Sequence, residues 1–394
     1  MNASFHIGTR TVSVHTSIAD ISADDWDRCA GSENPYVRHS HLLALEENGI
    51  ASPENGFHPR HIILRDQKSD IIAAAPAYLK DHSEGELGID LGLAMAHNRA
   101  VGPYYPKLQV EVPMTPISGP RLLVRAGVDE EEARLVLLAA LRQQAEKDSA
   151  SSVQIAYMTA PEWDTTESGG FMKSEGNAYV WRNQGMDSFE DFLAIMLSRH
   201  RTKIRRERRK VAAERLTYKQ YSGHNITAEL AGPFFVLYAA TYHRNETEIW
   251  HNQAYFEQIF RTMPEMLDLV FAYKENDLIA MQLSFLGEDT IFAQHWGHTS
   301  NIRFLHFELG IYQTIEMAIR QGRAAVNFGT TGQHKVERGV GMEPAFHSMW
   351  FRSEAFLEIA EIGLKRKREA AAKENIEENA RLPYTLNPEK EGGE

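Results

Sequence analysis

Apolar and polar positions follow helix and strand periods along most of this chain. Leu305, Leu309, Tyr312, Ile315 and Ile319 recur at three- and four-residue steps, which predicts a helix over 305–321 with one buried face. Gly322 stops it, because a left-handed residue at a helix end costs glycine little. Residues 324–328 are short and apolar, as a buried strand is. The run that follows holds Gly329, Gly332 and Gly339 with His334, Lys335, Glu337 and Arg338. A loop this charged, straight after a buried strand, is a candidate site, since loops on a rigid scaffold concentrate function. A solvated connector is the alternative.

Residues 1–10 read as a loose tail, and 11–17 alternate as a strand. Ser22 caps a helix, with Asp25 three residues on and Trp26 as an apolar contact. A second helix spans 40–48, before Gly49. Strands 61–66 and 71–79 flank the turn QKSD. A helix over 129–147 and a strand over 152–158 follow. Then come a strand at 179–181, helices at 188–215, 227–243 and 252–262, and strands at 267–273, 278–286 and 290–298. A last strand at 346–351 precedes a charged helix over 353–374.

The pattern repeats. HIILRDQKSDIIAAAPAYL (61–79) lies over DLVFAYKENDLIAMQLSFL (268–286) at an offset of 207, with Asp70/Asp277, Ile72/Ile279, Ala73/Ala280 and Leu79/Leu286 identical. Two helices precede the hairpin in each half. This predicts a duplicated fold: an N-terminal domain over 11–175, a second over 176–352, a C-terminal helix over 353–382 and a disordered tail over 383–394. The junction falls near 170–185, where TESGG and KSEGN are polar.

Composition narrows the class. Hydrophobic residues make up 43% and charged residues 24%, values of a soluble globular protein. A single cysteine, Cys29, excludes an internal disulfide framework and points to a reducing compartment. It reads as a small buried residue sooner than a nucleophile. The N-terminal stretch lacks the apolar core of a signal peptide, and no apolar run reaches the roughly 18 residues of a membrane span, so a cytoplasmic location is expected.

The net charge of −12 is unevenly spread. Residues 199–210, RHRTKIRRERRK, carry eight Lys/Arg and one Glu, or +7, which leaves 34 basic and 53 acidic residues, or −19, elsewhere. Read as a continuation of the helix from Ser188, this segment crowds like charges at a cost of about 0.2–0.5 kcal/mol per i,i+4 pair. A patch that costs stability suits a polyanion: RNA, the phosphates of coenzyme A, or an anionic membrane surface met by helix 188–211. A solvated face against the acidic remainder is the structural alternative.

No GxxxxGK[ST], GxGxxG after a strand, HExxH, CxxC or GxSxG occurs, which leaves nucleotide hydrolysis, zinc hydrolysis and serine hydrolysis without a foothold. Tyr104, Tyr105 and Lys107, followed by VPMTPISGPR, make a proline-stiffened aromatic run suited to a substrate wall or to a self-packed loop. His295, Trp296 and His298 end one strand, and His306 and Glu308 open the next helix. His306 and Glu308 are candidate bases for deprotonating an amine, though any one of seventeen histidines is more often structural.

Several of these stretches occur together in one family. YYPKL (104–108) with VPMTPISGPR (112–121), RTKIRRERRKV (201–211), HWGH (295–298), FLHFELGIYQ (304–313) and FGTTGQHKVERGVGMEP (328–344) resemble the FemAB-like branch of the GNAT acyltransferases, labelled as peptidoglycan biosynthesis or recognition proteins. The resemblance spans about residues 20–352. It implies two tandem GNAT-like α/β domains, each a mixed, mostly antiparallel sheet flanked by helices, and an amide-forming acyltransferase. The donor carbonyl would lie between strands 290–298 and 324–328.

On this reading the catalytic set is His306, Glu308 and His334, the first two as base candidates. Substrate-binding residues would be Tyr104, Tyr105, Lys107, Arg121, Trp296, Gln333, Lys335 and Arg338, with Lys203, Arg205, Arg206 and Arg303 holding donor phosphates. No permanently bound cofactor or metal is expected. Acyl-CoA or aminoacyl-tRNA would be the co-substrate, and a small-molecule or peptide amine the acceptor. TSNIRF (299–304) has no glycine where the family's coenzyme A loop reads Gln/Arg-x-x-Gly-x-Gly/Ala, and the long helical arm of Fem ligases is not evident, so both donors stay open. A non-catalytic protein binding RNA or a cell-wall precursor is the rival reading.

Overall fold

Two units account for the chain in the computed structural model, which describes residues 3–83 and 91–385. The first is Met1–Gly176 with Pro344–Ala372, and the second is Asn177–Glu343 with Lys373–Glu394.

The first unit opens on an antiparallel sheet in the order β1 (Ala3–Ile7), β2 (Arg10–His15), β4 (His61–Arg65), β5 (Ile71–Ala75), β8 (Leu123–Val124). The expected N-terminal tail is therefore a strand, tied to β2 from Ala3↔Val14 to Ile7↔Arg10. The strand expected over 71–79 is cut in two at Pro76, which has no N–H to give a ladder. Its second half, β6 (Ala77–Lys80), pairs instead with β3 (Phe57–Pro59) and β7 (Lys107–Val110). The strand β9 (Ser152–Met158) runs parallel to β7. The helix Glu130–Lys147, capped by Asp129, buries Leu137, Leu138 and Leu141 against Val12, Ile62, Leu64, Val153 and Ile155.

One strand expected in the second unit lies in the first. Residues 346–351 of β16 (Gly341–Phe351) pair with β9, with Phe346 opposite Met158 and Phe351 opposite Ser152. Side chains fix the register: Trp163 Nε1 donates to the His347 carbonyl (2.9 Å), and Thr166 and Ser348 share a hydrogen bond (2.8 Å).

The second unit is a sheet in the order β11 (Thr217–Ser222), β12 (Leu267–Lys274), β13 (Asp277–Leu286), β14 (Thr290–His298), β15 (Ala325–Asn327), β10 (Met172–Arg182). The repeated hairpin is present in both units, as β4–β5 and as β12–β13. Both sheets are mostly antiparallel, as expected, and β14–β15 is the parallel pair here. Helices Ala231–Arg244 and Gln253–Thr262 cover one face, packing Phe234, Tyr238 and Phe256 together and setting Tyr238 and Phe256 against His295.

The helix after β14 covers the other face. Its five apolar positions are at most 7% exposed, as their spacing requires. It is not uniformly α: Leu305–Phe307 is one turn, Glu308–Gln313 is a π turn and Thr314–Arg320 is α. Such turns are rare and recur at functional sites. The basic segment also differs from expectation. A short helix, Phe189–Ala194, ends before a separate one, Ser198–Ala212. Between them Leu197 N–H bonds the Pro383 carbonyl and Thr385 N–H bonds Ile195, so residues 383–385 are docked and not a loose end. The remainder of the expected tail, 386–394, lies outside the described residues.

Candidate functional site

The site is built where β14 and β15 part. Their ladder is three pairs long, from Thr290↔Ala325 to Phe292↔Asn327, while β14 runs on to His298. The carbonyl of Phe328 and the backbone of Thr331 leave β15 on one side. Trp296 and the start of the following helix stand on the other.

Four side chains converge at this opening. The His306 ring lies 5.3 Å from Trp296 and 5.6 Å from His334, centroid to centroid. Burial, then repulsion from His334, Lys335, His298 and Arg338 whenever those groups carry charge, lowers its pKa to about 4. His334 is lowered too, by burial and by Lys335 and Arg338. Both imidazoles are therefore neutral at pH 7. Lys335 Nζ donates to the carbonyls of Phe328 (2.8 Å) and Thr331 (2.6 Å), and burial brings it down to about 8. Gln333 is exposed at the start of the same 3-10 turn, Gln333–Arg338.

Two predicted members of this group do other work. Glu308 is 6% exposed and takes Arg208 Nη2 (3.0 Å), Arg208 Nε (3.2 Å) and Gln313 (3.2 Å). Three donors hold it in an ion pair with Arg208. Arg338 is 4% exposed and grips Glu207 with Nη2 at 2.9 and 3.1 Å, with its guanidinium 3.4 Å from the centre of the Phe307 ring. It braces the loop and presents no free charge to a ligand.

The basic helix is partly consumed in the same way. Lys203 pairs with Glu337, Arg205 with Glu190, and Arg208 with Glu308 and Glu316. Arg199, Arg206, Arg209 and Lys210 are exposed and have no acidic partner within 4 Å among the described residues. Arg199, His200, Thr202, Lys203 and Arg206 line an open depression of about 510 Å³. Arg303 is exposed, 4.6 Å from the Phe304 ring.

The aromatic run of the first unit is packing. Tyr104 and Lys107 are 0% exposed and Arg121 is 1% exposed. Tyr104 sits with Leu93, Phe351 and Phe356, Lys107 Nζ donates to Gln154 (2.8 Å), and Arg121 donates to the carbonyls of Ile117 (2.7 Å) and Pro120 (2.9 Å). Tyr105 packs edge-on against Tyr104. A wall needs exposed surface, and of these side chains only Tyr105 keeps any, being half-buried. Cys29 is buried as well, its thiol raised to about 11, and is inert.

Sequence reasoning missed Glu207 and Tyr312. The Tyr312 hydroxyl donates to Glu207 at 2.5 Å and accepts from Arg338 Nε at 3.0 Å. The signal was there: Glu207 is the lone acid among eight cations, and a lone acid in such a run marks the face that turns inward.

The fold has known relatives. The solved structure of FemX shares 14% identity at a TM-score of 0.56, over 86% of this chain and 98% of that one. The C-terminal domain of an assigned lysylphosphatidylglycerol synthetase from Agrobacterium fabrum shares 9% at 0.55, over 88% and 97%. A conserved protein of unknown function from Bacteroides thetaiotaomicron shares 11% at 0.50, over 85% and 98%. At these identities the likeness speaks to fold alone, a mixed α/β chain of two compact units. No curated protein sequence matches. The FemAB-like profile, described as peptidoglycan biosynthesis/recognition, matches residues 17–386, and the chain belongs to that family.

Proposed function

We propose that the second unit transfers an acyl or aminoacyl group to an amine and so makes an amide. Family and fold support a transferase. The observation that carries the finer reading is the early end of the β14–β15 ladder beside two neutral histidines and a low-pKa lysine. A strand edge released from its ladder offers backbone groups to an acyl carbonyl, and donors placed there stabilise the developing oxyanion. The amine nitrogen attacks that carbon. The new C–N bond forms as the bond to the carrier's sulfur or oxygen breaks. The amine's proton passes to a base, and the carrier leaves as thiol or hydroxyl.

His334 is the better base of the two histidines. A group with a pKa of about 4 is poorly matched to an ammonium near neutrality. His306 then orients His334, and Lys335 holds the carbonyls of Phe328 and Thr331 in place. The carrier is a polyanion, met by Arg199, Arg206, Arg209 and Lys210. Peptidoglycan chemistry follows the family description and supplies the amine acceptor.

The test is the melting temperature of the purified protein with acetyl-CoA, a longer acyl-CoA, aminoacyl-tRNA and uncharged tRNA, at two salt concentrations. A ligand at a hundred times its Kd adds about 2.7 kcal/mol of stability. Stabilisation by one acyl donor above its unacylated carrier supports transfer and names the donor. Equal effects of charged and uncharged RNA, at low salt only, would replace this reading with a polyanion-binding protein.

A further inference from the structure

The sheet face beneath the π turn is polar where a covered face should be apolar. On β12 and β13, Asp268 stands opposite Ser284, and Val270 opposite Gln282. On β11, Gln220 stands opposite Val270. Alternate residues share a face, so these side chains point to one side together. Asp268 is 2% exposed, Ser284 1% and Gln282 4%. Buried polar groups on a helix-covered sheet are the exception that calls for a cause.

They surround a cavity of about 310 Å³ within the second unit. Its roof is the helix 305–320, contributing Leu309, Gln313, Thr314 and Met317. Its rim carries Arg208 and Glu316, which pair with each other, and Arg320, which is exposed. Tyr218 closes the outer side at 38% exposure.

Asp268 is the outlier within it. Gln220 Nε2 donates to it at 2.6 Å, and no cation lies within 4 Å of it among the described residues. The nearest positive influence is Arg320, and burial raises the carboxyl to about 6. A buried carboxylate with one amide donor is costly unless a cation joins it. The cavity is too large for a bare ammonium and fits a small organic amine. It also adjoins the opening described above. A side-chain carbon on Gly310 would sit 3.4 Å from Gln282 Oε1 and 3.5 Å from His306 Cδ2, so one backbone position touches both.

We propose that this cavity binds the amino group of an amino-acid-derived substrate, with Asp268 as counter-ion and Gln282 and Ser284 as hydrogen-bond partners. This deepens the transfer reading by making the substrate class amino-bearing. It rests on that reading only for what becomes of the bound group.

Direct binding tests it without turnover. L-alaninamide, L-lysinamide and n-butylamine, with acetamide as the uncharged control, are titrated to about 10 mM against the whole chain, followed by melting temperature and calorimetry. At least one amine, and not acetamide, is expected to bind. Asp268→Asn, which keeps shape and loses charge, should melt at or above the parent temperature and bind that amine at least tenfold more weakly. Gln282→Leu offers a second check and should weaken binding of that amine, with acetamide still unbound. No amine binding, or equal binding by Asp268→Asn, would overturn the proposal. Amine binding in a protein that transfers nothing would leave this site standing and remove the transfer reading. Transfer to an amine that Asp268→Asn binds and acylates as well as the parent would do the reverse.

Discussion

Arg338 and Glu207 form a buried pair, joined at 2.9 and 3.1 Å with side chains 5% and 2% exposed. It ties the loop after β15 to the basic helix, and Tyr312 locks it from the π turn. Three elements that the sequence presents separately thus meet on one charge.

Removing one partner leaves the other charge buried alone, which costs about 3–5 kcal/mol. Glu207→Ala and Arg338→Ala should each lose that much in urea unfolding. The double variant should lose less than the sum, because the second change removes an already orphaned group. Additive losses would show that the pair does not act as a unit.

His306 sets a pH dependence whose sign follows from burial. Its folded pKa, about 4, lies below the ordinary value of 6.5. Between those values the unfolded chain takes up a proton that the folded one refuses. The stability is present above about pH 6.5 and drains away as pH falls toward 4. His334, Lys335, His298 and Arg338 face it and push the same way. His306→Gln should therefore show a shallower fall in unfolding free energy across this window than the parent. Parallel curves would mean the imidazole is not held neutral.

The basic helix can be separated from the core it rests on. Arg206, Arg209 and Lys210 are exposed and lack acidic partners among the described residues, so changing each to Gln should alter stability by less than about 0.5 kcal/mol. Each phosphate that is no longer neutralised should flatten the dependence of log affinity on log salt by about one unit. A tRNA or acyl-CoA titration at several salt concentrations reads this directly. An unchanged slope in the triple variant would place the polyanion elsewhere.

The helix after β14 was legible because burial dictates its spacing, and β14 was legible to the residue because turns bound it on both sides. The repeat at 207 was legible because both hairpins are built from nearly continuous buried apolar runs around a polar turn. What was not legible depends on pairing across the chain. Nothing local in 346–351 says that it pairs with β9. Tyr104 and Lys107 look like a surface motif until Leu93, Phe356 and Gln154 are brought against them. Glu308 looks like a base until Arg208, a hundred residues earlier, occupies it. Asp268, Gln282 and Ser284 hid inside strands that read as ordinary core, since their shared face appears only once the register is known.

Lys335 supplies the sharpest test at the opening itself. Burial lowers it from 10.5 to about 8, against the pull of two carbonyls that favour the ammonium. Between those values the unfolded chain holds a proton that the folded one has released, so stability should rise with pH from about 8 to about 10.5. Lys335→Met should flatten that rise. The same amine should react with an acylating probe with a midpoint near pH 8, well below that of the surface lysines. If Lys335 positions the β15 exit for transfer, Lys335→Ala should drop turnover at least a hundredfold while the protein still melts cooperatively. Normal turnover in that variant would take the loop out of the site. A midpoint near 10.5 would instead show that Lys335 keeps the ordinary charge of a surface lysine and that burial does not lower it.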